Sequence, residues 1–217
     1  MGFALEALLD GDEVARGTVV IASGNAHKIA EIRQILQPLF PGFSFLAARE
    51  VGDFPEPVED GETFVENALI KARAIHEASG LPCVADDSGL VVDALGGAPG
   101  VLSARYSGVH GDDAANNAKL LAALDGVGEA DRTARFACAV AFVGARACAT
   151  GIGYCEGRVG FGPRGDNGFG YDPLFLPDDA PGRTMAELAP GEKNAISHRL
   201  HGLQALVGEL GRLAAQG

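Results

Sequence analysis

Three short stretches of this 217-residue chain carry side chains whose types and spacing suit chemistry at a phosphate group. In VADDSGLVVDAL, residues 84–95, Asp86 and Asp87 stand side by side within an apolar run. Two adjacent carboxylates at low dielectric require a compensating cation or a shared proton, and hard oxygen ligands beside a phosphate site point to Mg²⁺. Glu59 and Asp60, in the acidic loop DFPEPVEDGE, are candidates to complete the coordination. The plainer alternative makes Asp86 a turn former ahead of Ser88 and Gly89, with Asp87 its solvated neighbour.

The second stretch, SGNAHK at 23–28, sets a glycine and small polar groups between a strand and a helix start. Free backbone N–H groups and the helix dipole attract anions there, and Lys28 adds a positive charge. The stretch lacks the spacing of a P-loop, and many such turns do nothing but turn. The third combines Lys193, His198 and Arg199 at the start of the last helix with the loop GFGYDP at 168–173, although such a cluster is also an ordinary solvated helix face. GIGYCEG, at 151–157, misses the third glycine of a dinucleotide fingerprint and begins no helix, so no Rossmann cofactor is expected.

The elements that must position these groups alternate. GTVVIAS reads as a strand, followed by a helix with Ile29, Ile32, Ile35 and Leu36 on one face until Pro38. FSFLAA is a second strand, and Thr63 with Glu66 forms a capping box for a helix carrying Phe64, Ala68, Ala72 and Ile75 to about Ser79. The aspartate stretch is expected as strand, turn, strand, with GGAPG a further turn. Asp113 is expected to cap a helix bearing Leu120, Leu121 and Leu124. RFACAVAFV and ARACATGIGYCEGRV read as an antiparallel pair, FGPRGDNGFGYDP as a loop, and EKNAISHRLHGLQALVGELGRL as one closing helix. This order predicts an α/β protein with a mixed sheet flanked by helices.

Composition narrows the function classes. A net charge of −12 argues against nucleic-acid binding, which needs a basic face. No apolar run approaches the ~18 residues that span a bilayer, and the N-terminus lacks the basic start of a signal peptide. Cys83, Cys138, Cys148 and Cys155 show no metal-binding spacing and are expected as buried, reduced thiols, which suits the cytoplasm. Residues 1–16 read as an acidic extension with no assigned function, ahead of a single catalytic domain at 17–217.

Taken in order, SGNAHKIAEI, EDGETFVENALIKARA, ADDSGLVVDALGGAPGVLSARYSG, GFGYDPLF and EKNAISHR closely resemble the inosine/xanthosine triphosphate pyrophosphatase family from about Val19 to Leu206. The resemblance implies an elongated α/β fold, with a central mixed sheet and two lobes around a cleft, working as a cytoplasmic homodimer. It implies Mg²⁺-dependent hydrolysis of ITP, dITP and XTP to the monophosphate and pyrophosphate. It makes Ser23, Gly24, Asn25, Ala26, His27 and Lys28 a substrate-binding loop, Asp87 the proton acceptor and a metal residue, and Ser88 a substrate contact. Base or phosphate contacts are implied for Phe169, Gly170, Tyr171, Asp172, Lys193, His198 and Arg199, with Lys71 at the triphosphate. Glu59 falls where the family's other metal-associated acid lies, Asp86 is taken as a third metal candidate, and VEDGE leaves the choice between Glu59 and Asp60 open. The acidic extension has no counterpart in the family core. Two rivals are a pyrophosphatase that prefers modified pyrimidine nucleotides and a nucleotide sensor without turnover.

Overall fold

The computed structural model describes residues 5–216. Its strands are β1 (Thr18–Ile21), β2 (Ser44–Ala47), β3 (Cys83–Val92), β4 (Thr133–Val143), β5 (Cys148–Val159) and β6 (Phe175–Pro177). Its α-helices are α1 (Gly11–Arg16), α2 (Ala26–Leu36), α3 (Ala48–Val51), α4 (Phe64–Ser79), α5 (Asp113–Ala123), α6 (Pro190–Ile196) and α7 (His198–Ala214). The strands form one sheet in the order β2-β1-β3-β4-β5-β6. β1 runs parallel to both β2 and β3, whereas β6 is antiparallel to β5, so the sheet is mixed and the fold is α/β.

Two compact units share this chain. One comprises the residues up to Asp87, Cys138–Gly153 and the residues from Arg199 on; the other comprises Ser88–Ala137 and Tyr154–His198. In the first unit the strands bury both faces. Val19, Ile21, Val84, Cys138, Val140 and Phe142 pack with Ile29 and Ile32 of α2 and Leu203, Leu206 and Leu210 of α7. The intervening residues Val20, Cys83, Ala85, Ala139 and Ala141 pack with Ala68, Ala72 and Ile75 of α4. Such double burial is why these strands read as nearly continuous apolar runs. Gly151 lets α7 lie directly on β5, since a Cβ there would sit 2.3 Å from the Leu206 backbone nitrogen. The second unit has its own core, in which Leu90, Val92, Leu120, Leu124, Phe136, Tyr171, Phe175 and Met185 are prominent.

Several expectations change. β3 is one continuous strand, with no turn at Ser88–Gly89. Gly89 is there for close approach: a Cβ would meet Ser103 Oγ at 2.4 Å and the Gly100 carbonyl at 2.5 Å. Asp112, not Asp113, caps α5, its Oδ1 accepting from the Ala115 amide at 3.0 Å. The closing helix breaks in two at Ser197, whose backbone is extended at φ −75° and ψ 145°. Cys148 is exposed, because it falls on the outward side of β5, while Cys83, Cys138 and Cys155 are buried.

From Leu5 on, the N-terminal extension is integrated into the first unit. Leu5, Leu8 and Leu9 enter its core, and Glu13, 2 % exposed, completes the capping box of α1. Glu13 Oε1 also accepts from the Ala145 amide at 2.9 Å, in the turn between β4 and β5. Among the described residues no helix is long and apolar enough to cross a membrane.

Candidate active site

Alternation along β3 decides where the aspartate doublet points. Val84 packs on the face shared by α2 and α7, and Ala85 on the α4 face. A period of two therefore sends Asp86 to the first face and Asp87 to the second.

The polar contacts agree. Asp86 Oδ2 accepts from Arg199 Nε at 3.2 Å and Nη2 at 3.1 Å, and Lys28 Nζ lies 3.1 Å from the same oxygen. Arg199 is itself fully buried and also donates to Glu31 of α2. Cys138 Sγ lies 3.9 Å from Asp86 Oδ2. Burial is the largest single influence on Asp86 and pushes its pKa up, but Lys28, Arg199 and Lys71 together outweigh it and hold the carboxyl well below the usual range.

Asp87 has different company. Lys71 Nζ, on α4, lies 3.3 Å from its Oδ1, and Asn67 Nδ2 donates to its Oδ2 at 3.2 Å. The same ammonium lies 3.0 Å from Glu59 Oε2. Burial, reinforced by the negative charge of Glu59, raises the Asp87 pKa against the opposing pull of Lys71 and Lys28. Adjacent carboxyl groups are thus driven in opposite directions, an arrangement suited to giving one a structural role and the other a proton to exchange.

Protein cations, Lys28 and Arg199, stand against Asp86. The choice between Glu59 and Asp60 also acquires a geometry: Glu59 shares Lys71 with Asp87, while Asp60 is exposed beside Gly61, Glu62 and Glu66. In the SGNAHK turn, Asn25 caps α2, its Oδ1 accepting from the amides of His27 at 2.9 Å and Lys28 at 3.2 Å, while Ser23 Oγ accepts from the Asn25 amide at 3.2 Å. Three of the amides expected to be free for an anion are therefore taken by the turn itself. Gly24, Asn25, Ala26 and His27 are exposed.

The second unit holds the other predicted group. Lys193 and Asp172 are both buried, with Nζ 2.7 Å from Oδ2. Asp172 Oδ2 also accepts from the Phe169 amide at 2.9 Å, and the Lys193 ammonium stands 4.7 Å from the Phe169 ring centroid. The loop is pinned further by Asp113 Oδ2, which accepts from the Gly170 amide at 2.7 Å, and by Tyr171, whose hydroxyl donates to the Ser103 carbonyl at 2.9 Å. Tyr171 therefore serves the core rather than an open surface. The His198 ring stacks on Phe136, centroids 4.8 Å apart. Ser88 follows Asp87 in β3 and is half-buried.

A profile of the Ham1 family matches residues 19–209. The chain belongs to the Ham1 family. Among Ham1-type relatives, a protein of Mycolicibacterium paratuberculosis named dITP/XTP pyrophosphatase is 51% identical over 197 residues, covering 90% of this chain and 97% of its own. A Bacillus licheniformis protein of the same name is 49% identical over 189 residues, covering 87% of this chain and 95% of its own. The solved structure of the Staphylococcus aureus Ham1 protein superposes with a TM-score of 0.77 at 38% identity, covering 92% of this chain and all of that one. A Mycobacterium abscessus structure, titled nucleoside-triphosphatase / dITP/XTP pyrophosphatase, gives a TM-score of 0.71 at 47% identity, covering 87% and 98%.

Five residues to which the sequence reading gave no part in the site contact predicted site residues: Glu31 with Arg199, Asn67 with Asp87, Asp113 with Gly170, Phe136 with His198 and Cys138 with Asp86. Asn67 and Glu31 lie inside quoted motifs, so their signal was a polar residue on the inward face of a helix. Cys138 and Phe136 carried none, because both look like ordinary strand core.

Proposed function

We propose that this Ham1 protein is a nucleoside triphosphate pyrophosphatase that hydrolyses dITP, ITP and XTP to the monophosphate and pyrophosphate, clearing deaminated purines from the nucleotide pool. The observation that carries the reading is Lys71 shared between Glu59 and a buried Asp87 whose pKa is raised, in a chain about half identical to proteins of that name.

The residues set limits on the expected Mg²⁺. Among the described residues no group of three or more His, Cys, Asp or Glu side chains is gathered for a metal. Mg²⁺ commonly takes only one or two protein carboxylates and fills its sphere with water and substrate phosphate, which is compatible with that finding. Asp87 and Glu59 fit as its holders: they are hard oxygen donors, and one ammonium leaves a net negative charge between them. Asp86 does not fit, being engaged by Lys28 and Arg199. When bound, the ion would neutralise phosphate charge and favour loss of a proton from water.

The chain's own groups do the rest. Asp87 accepts the proton of a water attacking the α-phosphorus, and the bond to the β-phosphate oxygen breaks with its electron pair leaving on pyrophosphate. Lys28 and Lys71 supply positive charge to the phosphates, which reconciles a −12 protein with a polyanionic substrate. Selection of a 6-oxo purine needs a donor toward O6, since adenine's amino group would set donor against donor. Arg199 is committed to Asp86 and Glu31, so that task falls to His198 or to backbone amides. Phe169, its ring bearing Lys193, is the stacking candidate. The same reading has the protein acting as a cytoplasmic homodimer.

A panel of dITP, ITP, XTP, GTP, ATP and modified pyrimidine triphosphates, assayed with Mg²⁺ for pyrophosphate, tests the proposal. The 6-oxo purines should lead in kcat/KM. A pyrimidine winner, or orthophosphate without pyrophosphate, refutes it.

A further inference from the structure

Asn67 sits on α4 one turn before Lys71 and is 1 % exposed. Its two ends do different things. Oδ1 accepts from the Gly61 amide at 2.9 Å, and Nδ2 donates to Asp87 Oδ2 at 3.2 Å. The sense of the side chain is settled by Gly61, because a backbone N–H can only donate and must face oxygen.

This contact is part of a dense anchorage. The next two amides, Glu62 and Thr63, both donate to Glu66 Oε2, at 2.8 and 2.9 Å. Gly61 is packed so closely that a Cβ would meet Glu66 Cβ at 2.7 Å and Asn67 Oδ1 at 2.8 Å. The end of the acidic loop is thus fastened to the first turns of α4 by three consecutive N–H groups. Glu59, two residues upstream, reaches Lys71, which returns to Asp87 Oδ1. The circuit closes on one carboxylate: Oδ1 faces the ammonium that holds Glu59, and Oδ2 faces the amide that holds Gly61.

We infer that Asn67 is a positioning residue that couples the loop carrying Glu59 to Asp87, setting the aim of that carboxylate without touching substrate. The inference rests on the reading of Asp87 as the proton acceptor. A plain capping role would require only the Gly61 contact, whereas the amide's other end goes to Asp87.

Asn67→Asp and Asn67→Ala separate the two links. The aspartate keeps an oxygen for the Gly61 N–H and loses the donor to Asp87; alanine loses both. With dITP as substrate, both variants should lose kcat by about 10²-fold, the scale of a misaimed catalytic group. KM should stay within about threefold of wild type in Asn67→Asp and rise further in Asn67→Ala, where the loop is released. Hydrogen exchange read at the Gly61 amide without nucleotide should show protection kept in Asn67→Asp and lost in Asn67→Ala, with Glu62 and Thr63, held by Glu66, as internal references. A folded variant of either kind with kcat within twofold of wild type overturns the inference, as does undiminished protection in Asn67→Ala. If wild type releases no pyrophosphate from dITP, the proposed activity falls, and the exchange pattern alone then decides whether Asn67 fastens the loop.

Discussion

Arg199 grips a single oxygen of Asp86 with two nitrogens, Nε at 3.2 Å and Nη2 at 3.1 Å, in a contact where both side chains are almost completely buried. Removing one partner of such a pair strands the other in the interior, which costs roughly 3–5 kcal/mol. Asp86→Asn should therefore lower the unfolding free energy by about that amount in a denaturant melt. The acid dependence has a definite sign. The folded pKa of Asp86 is depressed, so its stabilisation is present above the unfolded value near ~3.9 and is lost as pH falls below it toward the folded value. The gap between wild type and Asp86→Asn should narrow below about pH 4.

Asp87 reverses that sign. Its folded pKa is raised, so its contribution is favourable below the unfolded value near ~3.9 and is lost as pH rises through the folded value. In metal-free buffer near neutrality, Asp87→Asn should melt no lower than wild type, while pyrophosphate release falls by roughly 10²–10⁴-fold. A variant that melts well below wild type at pH 7 would contradict the direction of the shift.

Lys71→Met tests the shared ammonium. It leaves Glu59 and Asp87 without the charge between them, so turnover should drop by about 10²-fold or more, with a higher pH needed to reach half-maximal kcat/KM. A pH–rate profile on dITP reads both effects.

Leu9→Ala tests whether the extension is part of the folded unit. Leu9 is 1 % exposed in the core it shares with α2 and α7. A cavity there costs about 2–5 kcal/mol, or roughly 5–15 °C in Tm for a chain of this length. Activity per folded molecule at low temperature should be unchanged.

The thiols offer a quick check. Burial pushes Cys83, Cys138 and Cys155 up to about 12, and Cys148 is the exposed one. A thiol reagent at neutral pH should titrate one group in the native protein and four after denaturation.

Much of the fold was legible because local patterns carried it. Val19 to Ile21, the stripe Ile29–Ile32–Leu36 and the Thr63–Glu66 box all became the elements they suggest. What failed was what depends on distant partners. Gly89 reads as a turn residue, yet it stays in β3 because Gly100 and Ser103 press on its Cα. Arg199 reads as a surface or ligand-facing cation, and its burial depends on Glu31, 168 residues earlier. The pairing of Lys71 with both Asp87 and Glu59 was not anticipated: the family resemblance gave Lys71 to the triphosphate, and nothing in the spacing of three separate segments predicts one shared ammonium.

Asn25 already occupies the Lys28 and His27 amides, so side chains of the turn at 23–28 fix its shape from within. On the proposed reading, a triphosphate would meet a rim whose main chain is already hydrogen-bonded, and little binding energy would be diverted to ordering it.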